Sequence, residues 1–236
     1  MSVILCAYNE GNVIGDSIDK VDNVMLKTGW NYEIVVVDDG SLDDTREKAI
    51  RSRNDQNRNY LKIVGYEKNA GKGTAMRAGF AKAEGRFIVA IDSDLDVDPE
   101  LIPSYVEALK TNDIAVASKW NRRSRTKMTS ERKVLSFGFN ALSRLLTGIK
   151  LRDTQTGLKA FRRKVLERMA PKLIVNRYAF DLELMSACNH CGFKIVELPV
   201  NVHVESMVGF REIITMALDM CKVAYRLRVL KYYQRG

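Results

Sequence analysis

The chain has 236 residues, 46% of them hydrophobic and 28% charged, with 4 Pro and 15 Gly; this excludes a disordered or collagen-like chain and is enough for one sizeable core. Lys and Arg number 38 against 29 Asp and Glu, a net charge of +9, which points to an anionic partner without choosing among nucleic acid, lipid and a phosphorylated substrate. Four cysteines, Cys6, Cys188, Cys191 and Cys221, are too few for a disulfide scaffold of this length and suit a reducing compartment.

The first residues carry no basic cluster, so Ser2–Ala7 reads as a buried strand rather than a secretory leader. Ile14, Ile18, Val21 and Met25 form the stripe of an amphipathic helix. Tyr32–Asp38 is an apolar strand that stops at Asp38-Asp39-Gly40-Ser41, where Ser41 or Asp43 can cap the next helix. Tyr60–Tyr66 reads as a strand, Asn69–Gly73 as a glycine-rich turn, Lys72–Glu84 as a helix and Phe87–Ile91 as a strand. Asp98 and Pro99 suit the cap and first turn of a further helix, and Ile114–Ala117 makes a fifth strand. Continuous apolar strands alternating with helices predict an α/β fold, a parallel sheet covered on both faces. Ligands of such sheets bind beyond the C-terminal strand ends, where Tyr8-Asn9-Glu10, Asp38-Asp39 and Asp92–Asp96 fall.

The second half is less regular. Lys119–Lys133 reads as a basic loop, followed by a helix over about Arg132–Leu146, a polar turn at Asp153–Gly157 and a strand at Leu158–Phe161. Asp181–Cys191 reads as a helix, Lys194–Val204 as one extended run, and about Phe210–Tyr233 as an amphipathic helix. After Cys221 that helix carries Lys222, Arg226, Arg228, Lys231 and Arg235 with Tyr225, Tyr232 and Tyr233, which suits a helix lying on an anionic membrane or a packing helix with a solvated basic face. No apolar stretch reaches about 18 residues free of charge, so no membrane-spanning helix is expected.

Asp92-Ser93-Asp94 is the sharpest feature. Alternation along an extended chain points Asp92 and Asp94 the same way, with Asp96 near the next turn. Clustered carboxylates repel one another unless a cation lies between them, and oxygen donors suit Mg²⁺ or Mn²⁺ shared with nucleotide phosphates. Asn69–Thr74 fails the Walker pattern, which requires a glycine where Tyr66 stands and Ser or Thr where Gly73 stands, yet Lys72 at a helix start can still meet a diphosphate. Cys188-Asn189-His190-Cys191 lacks a second ligand pair for zinc.

Taken in order, Cys6–Glu10, Val37–Ser41, Asn69–Gly73, Asp92–Asp94, Arg132 with Ser136, and Arg152–Arg163 make the chain resemble the family 2 inverting glycosyltransferases of the GT-A fold. Within them the likeness is to the dolichyl- and polyprenyl-phosphate mannosyl- and glucosyltransferases. The resemblance implies a GT-A catalytic domain at 1–209, with a nucleotide-sugar half at 1–118 and an acceptor half at 119–209, and a C-terminal helix at 210–236. It implies a nucleotide-sugar site drawn from Cys6, Tyr8, Glu10, Val37, Asp39, Lys72, Asp92 and Ser93. Asp92 and Asp94, with Asp96 beside them, would hold Mg²⁺ or Mn²⁺; Lys119, Arg122, Arg123, Arg132 and Ser136 would take the acceptor phosphate. Asp94 and Arg132 are the candidate catalytic residues, joined by Asp153 as a base if the acceptor is a sugar hydroxyl.

Three positions depart from the family pattern. Cys6 stands where Pro is usual, and Lys119 stands where Arg is common, which removes a bidentate grip. Around Asn201–Met207 only Ser206 fits the late segment that contacts donor phosphates. The implied reaction takes a hexose from GDP-mannose or UDP-glucose to a polyprenyl phosphate, whose second pKa of about 6 leaves it ionised without a protein base. The expected place is cytoplasmic, peripheral on a membrane. A transferase acting on a saccharide or protein hydroxyl is the alternative. A nucleic-acid-binding protein would explain the charge but not the acid clusters, so no nucleic-acid partner is expected.

Overall fold

Strands buried along their whole length need cover on both faces of the sheet, and that requirement sets the architecture. The computed structural model describes residues 1–177, 179–204 and 210–234, without the side chains of Arg132, His203, Val204 and residues 210–212. The candidate Ser206 and the basic Arg235 therefore lie outside the described residues.

Five strands and four helices alternate through the first half: β1 (Ser2–Ala7), α1 (Ile14–Thr28), β2 (Glu33–Asp38), α2 (Thr45–Asp55), β3 (Leu61–Gly65), α3 (Lys72–Lys82), β4 (Phe87–Asp92), α4 (Ile102–Ala108) and β5 (Ile114–Ser118). The second half holds β6 (Arg125–Met128), α5 (Ser130–Thr147), β7 (Leu158–Arg162), α6 (Arg163–Met169), α7 (Phe180–His190), β8 (Ile195–Pro199), β9 (Asn201–Val204) and α8 (Phe210–Arg228). The main sheet runs β3-β2-β1-β4-β7-β5-β8. Val3, Leu5, Ile34 and Val36 pack against α1 on one face, while Ile4, Val35 and Val37 pack against α3 and α7 on the other.

The sheet is not wholly parallel: β7 lies antiparallel to both β4 and β5. Its direction follows from the polar turn before it. Leu158 pairs with Ile91, so the chain enters the sheet at the C-terminal end of β4 and can only run back. β7 and β8 thus stand beside β4 and β5, and segments 1–118 and 119–209 share one sheet.

Other differences are local. The basic segment contains β6, which pairs in parallel with β9 as a second, two-stranded sheet. The extended run after Lys194 divides at buried Val200, whose N–H donates to Ser124 Oγ at 2.9 Å. Its first part joins the main sheet as β8 and its second joins β6. α6, seven residues with four charges, lacks the length for a periodic signal. α2 starts behind Asp44 with no side-chain cap. Ser41 Oγ instead accepts from Asn9 N at 3.0 Å, and Asp43 accepts from Thr45 N at 3.1 Å and Gly11 N at 3.0 Å. Ser41 thus ties the loop after β2 to that after β1, and Asp43 does the same while accepting from the first N–H of α2.

On α8, Met216, Met220, Val223 and Leu227 are buried. The helix ends at Arg228 rather than about Tyr233, and Arg226 and, beyond the helix, Tyr233 turn inward. Arg226 Nη1 lies 2.7 Å from Glu183 Oε1, and the fully buried Glu183 also accepts from Tyr233 OH, Ile174 N and Val175 N. Breaking a buried pair leaves the other charge without compensation. Glu183→Ala is therefore expected to lower unfolding free energy by about 3–5 kcal/mol in urea titrations; a loss below about 1 kcal/mol would contradict this anchoring of α8.

Candidate active site

The acid turn after β4 is fixed from three sides. Asp92 N donates to Gly157 O at 3.1 Å, Ser93 Oγ to Cys6 O at 2.8 Å, and Ser17 Oγ to Ser93 O at 2.6 Å. β1, β7 and α1 thereby hold one turn. A side chain at residue 157 would place its Cβ 2.5 Å from Asp92 Oδ2, so glycine there is what leaves the carboxylate its place. Asp94 Oδ1 accepts from Asp96 N at 3.1 Å. Leu95 takes a left-handed φ of 51°, which makes the turn at which Asp96 was expected. Among the described residues no three His, Cys, Asp or Glu side chains group to hold a metal ion, so the expected set of three carboxylates is not gathered.

Negative charge is crowded at the turn. Burial and then the charge of Asp92 raise the Asp94 carboxyl above its ordinary value. Burial, then Asp94, Asp43, Asp92 and Asp96, raise Glu10 in the same direction. In both, burial acts first and the neighbouring carboxylates add to it. Part of the repulsion is offset by Lys72, whose Nζ sits 2.7 Å from Asp92 Oδ1 and 3.5 Å from Asp181 Oδ2. Mg²⁺ and Mn²⁺ are commonly held by one or two carboxylates plus substrate phosphates rather than by a closed protein cage. Asp92 and Asp94 fit that open pattern.

The other donor-site candidates divide by task. Tyr8 is 41% exposed at the end of β1, and Glu10 is half-buried beside it. Val37 is fully buried, so its side chain does not line a site, and its strand is paired on both sides. Cys6 donates to Met76 Sδ at 3.4 Å, and burial raises its thiol. Asp39, expected to meet the nucleotide, is surrounded by donors of the fold itself. Asn69 Nδ2, Ala70 N and Gly71 N reach its oxygens at 3.0–3.1 Å, and Tyr66 OH also donates to it. It shapes the glycine-rich turn that delivers Lys72. That turn passes so close to Asn176 that a Cβ on Gly71, at φ 93°, would lie 2.4 Å from Asn176 O.

On the acceptor side, Lys119 Nζ lies 2.8 Å from Asp153 Oδ2 and 2.7 Å from Thr156 Oγ1. Asp153 is 0% exposed and also accepts from Lys119 N, Gln155 N and Thr156 Oγ1. Burial alone would raise its carboxyl; Lys119 and Thr156 outweigh that and hold it below the ordinary value. A carboxylate sealed from the cavity, with its oxygens taken by donors and its basicity weakened by them, is poorly placed as a general base, and its contacts fix the direction of Lys119. Arg122 and Arg123 line a separate dent with Asn121, Arg152 and Glu197, away from the acid turn. The chain leaves β5 through bends at Asn121 and Ser124 that carry them there. The side chain of Arg132 lies outside the described part.

What the structure assembles is one cavity of about 530 Å³. Asp92, Asp94, Asp96, Lys119, Ser136 and Thr156 line its polar end. Val134, Leu135, Phe139 and Leu142 of α5 and Ile213, Met216, Ala217 and Met220 of α8 line the rest. Sequence reading missed Asp181 and Lys159, an ion pair at 2.9 Å behind Lys72. Their one visible signal is a pair of acids, Asp181 and Glu183, alternating with apolar residues in Phe180–Met185, and a lysine inside β7.

A crystal structure of glucosyl-3-phosphoglycerate synthase from Mycobacterium tuberculosis with uridine diphosphate superposes with a TM-score of 0.69, at 23% identity over 95% of this chain and 78% of that one. A second, of the same enzyme with Mn²⁺, uridine diphosphate and phosphoglyceric acid, gives 0.70 over 95% and 76%. The fold is that of the GT-A glycosyltransferases. The chain belongs to glycosyl transferase family 2, which matches residues 2–170, and it is a glycosyltransferase. It is 27% identical to the dolichyl-phosphate beta-glucosyltransferase of Dictyostelium discoideum over 96% of this chain and 74% of that protein. It is 30% identical to the dodecaprenyl-phosphate galacturonate synthase of Rhizobium johnstonii over 97% and 67%, and 29% identical to the human dolichyl-phosphate beta-glucosyltransferase over 98% and 76%.

The raised Asp94 carboxyl has a consequence for stability. A carboxyl raised by folding penalises the folded state above its folded pKa, and the penalty vanishes below the ordinary value of 3.8. Without divalent cations, Asp94→Asn is expected to raise the thermal midpoint at neutral pH, with a gain that shrinks as the pH falls towards 3.8. A lower midpoint at neutral pH, or a gain that grows in acid, would contradict the repulsion.

Proposed function

We propose that the enzyme moves a hexose from a nucleotide diphosphate sugar to the phosphate of a polyprenyl or dolichyl carrier, with inversion at the sugar carbon. One observation carries this reading: a single cavity joins the acid turn to an apolar trough between α5 and α8, with Lys119 where they meet. A water-soluble acceptor has no use for such a trough. A lipid phosphate matches both parts, its chain against Leu142, Met216 and Ala217 and its head at Lys119 and Ser136. The names of the relatives point the same way, and they favour glucose. UDP-glucose is accordingly the first donor to test and GDP-mannose the second.

Asp92 and Asp94 would hold the divalent ion, Mg²⁺ or Mn²⁺, between themselves and the donor diphosphate. When bound, that ion supplies charge neutralisation to the departing nucleotide. Lys119 carries three N–H donors. Two are directed at Asp153 and Thr156, which leaves one for the acceptor phosphate in a fixed direction. Arg132, on the first turn of α5, is retained as a second phosphate ligand, and Tyr8 and Glu10 as nucleotide ligands. An ionised phosphate oxygen attacks the sugar carbon without a base, so catalysis is orientation and charge placement. The sealed Asp153 also disfavours the hydroxyl-acceptor alternative, which requires one.

Membrane attachment completes the reading. Among the described residues no helix is long and apolar enough to cross a membrane. α5 and α8 nevertheless expose apolar rows, Val134, Phe137 and Leu145 on one and Ile214, Leu218, Tyr225 and Val229 on the other. Lys222 lies on the exposed side of α8. Such rows with basic flanks suit the surface of an anionic bilayer, next to the trough that would receive the lipid.

Incubation with radiolabelled UDP-glucose, polyprenyl phosphate and Mg²⁺ or Mn²⁺ is expected to move label into the lipid extract, with loss in excess EDTA. Asp94→Asn should lower the rate by about 100-fold or more. Label that enters only water-soluble saccharide, or full activity in EDTA, would overturn the proposal.

A further inference from the structure

Four charges of alternating sign run inward from the acid turn: Asp92, Lys72, Asp181 and Lys159. Lys72 Nζ is 2.7 Å from Asp92 and 3.5 Å from Asp181, and Lys159 Nζ is 2.9 Å from the other oxygen of Asp181. Asp181 and Lys159 are almost wholly buried, whereas Lys72 and Asp92 are about one-third exposed. The two ends of the series are fixed. Asp92 is held by β4 and Gly157, and Lys159 donates to Thr156 O at 2.8 Å. Asp181 sits on the first turn of α7, whose neighbouring side chains are fully buried. Lys72 is the long, flexible member. It stands between two carboxylates, one facing the cavity and one behind it.

The nearest cation to Asp92 is thus the protein's own. Any divalent ion arriving there meets an ammonium within hydrogen-bond distance of the oxygen it needs. Two cations on one carboxylate repel each other strongly at such separations, so one must give way. Lys72 has somewhere to go, because Asp181 Oδ2 is already 3.5 Å away and Lys159 occupies only the opposite oxygen. We propose that Asp181 is a positioning residue, the second berth to which Lys72 withdraws from Asp92 when a divalent cation binds. This inference rests on the assignment of Asp92 and Asp94 as metal ligands made above. Lys72 then serves as the resident counter-ion of the empty turn, and Asp181 lowers the cost of removing it.

Binding of Mn²⁺ alone, followed by the loss of its free-ion paramagnetic resonance signal, tests this without reference to turnover. Lys72→Met removes the competitor and should tighten Mn²⁺ binding by about tenfold. Asp181→Asn removes the second berth. With Lys72 present it should weaken Mn²⁺ binding by about tenfold, but in the Lys72→Met background by no more than about threefold, the part due to long-range charge. Equal losses in the two backgrounds, or no tightening in Lys72→Met, would overturn the inference while leaving the metal site standing. No Mn²⁺ binding in either the natural chain or Lys72→Met would overturn both. Should Asp181→Asn fail to fold because Lys159 is left buried and unpaired, Asp181→Asn/Lys159→Met removes that charge and is measured in its place, against Lys159→Met alone, in both backgrounds.

Discussion

Everything at this site depends on room for one carboxylate. Asp92 ends β4, and β7 begins beside it, so the turn before β7 presses directly on the Asp92 side chain. A Cβ at residue 157 would stand 2.5 Å from Oδ2, closer than such atoms approach. Glycine there lets the antiparallel strand come in at full hydrogen-bonding distance, with Gly157 O accepting from Asp92 N. The same close approach brings Thr156, and through it Lys119 and Asp153, to the acid turn. The donor and acceptor sides are thus brought together by a strand that runs against the direction of its neighbours.

Charge is arranged around this point in two different ways. On the donor side burial and mutual repulsion raise Asp94 and Glu10, with Lys72 the nearest cation to Asp92. On the acceptor side Asp153 is buried and paired with half-buried Lys119. The first arrangement costs stability and would favour a metal–diphosphate in the proposed reaction; the second fixes direction. The apolar trough between α5 and α8 adds neither charge nor hydrogen bonds. In the proposed reaction it would give a lipid chain a place beside the reacting groups. Glu183 holds α8 to α7 at one end of the trough, on the same helix that presents Asp181.

The first half was legible because its strands are buried on both faces and therefore spelled in unbroken apolar letters, and the polar motifs fell at their ends as the parallel-sheet rule requires. The second half was less so. β6 is short, basic and half-exposed, and its pairing with β9 is a long-range event that no local pattern encodes. The direction of β7 was hidden for the same reason. At the site, the acid turn was visible as a run of aspartates, but the left-handed conformation of Leu95 within it was not. Asp39 and Asp153 show a further limit. Both look like free acids in the sequence, and both are saturated by backbone and side-chain donors in the fold. Arg122 and Arg123 show the reverse, charges near the site in sequence that the bends after β5 carry elsewhere.

The central claim is that the lipid carrier lies in the trough between α5 and α8 while its phosphate sits at Lys119. It is tested most directly by a polyprenyl phosphate bearing a photoreactive group on its isoprenoid chain, crosslinked to the protein and mapped by mass spectrometry. The account predicts label on trough residues such as Leu142 and Met216, abolished by excess unlabelled polyprenyl phosphate. Competable label concentrated instead in the groove between α1 and β6, around Lys20, Arg125 and Lys127, would contradict it.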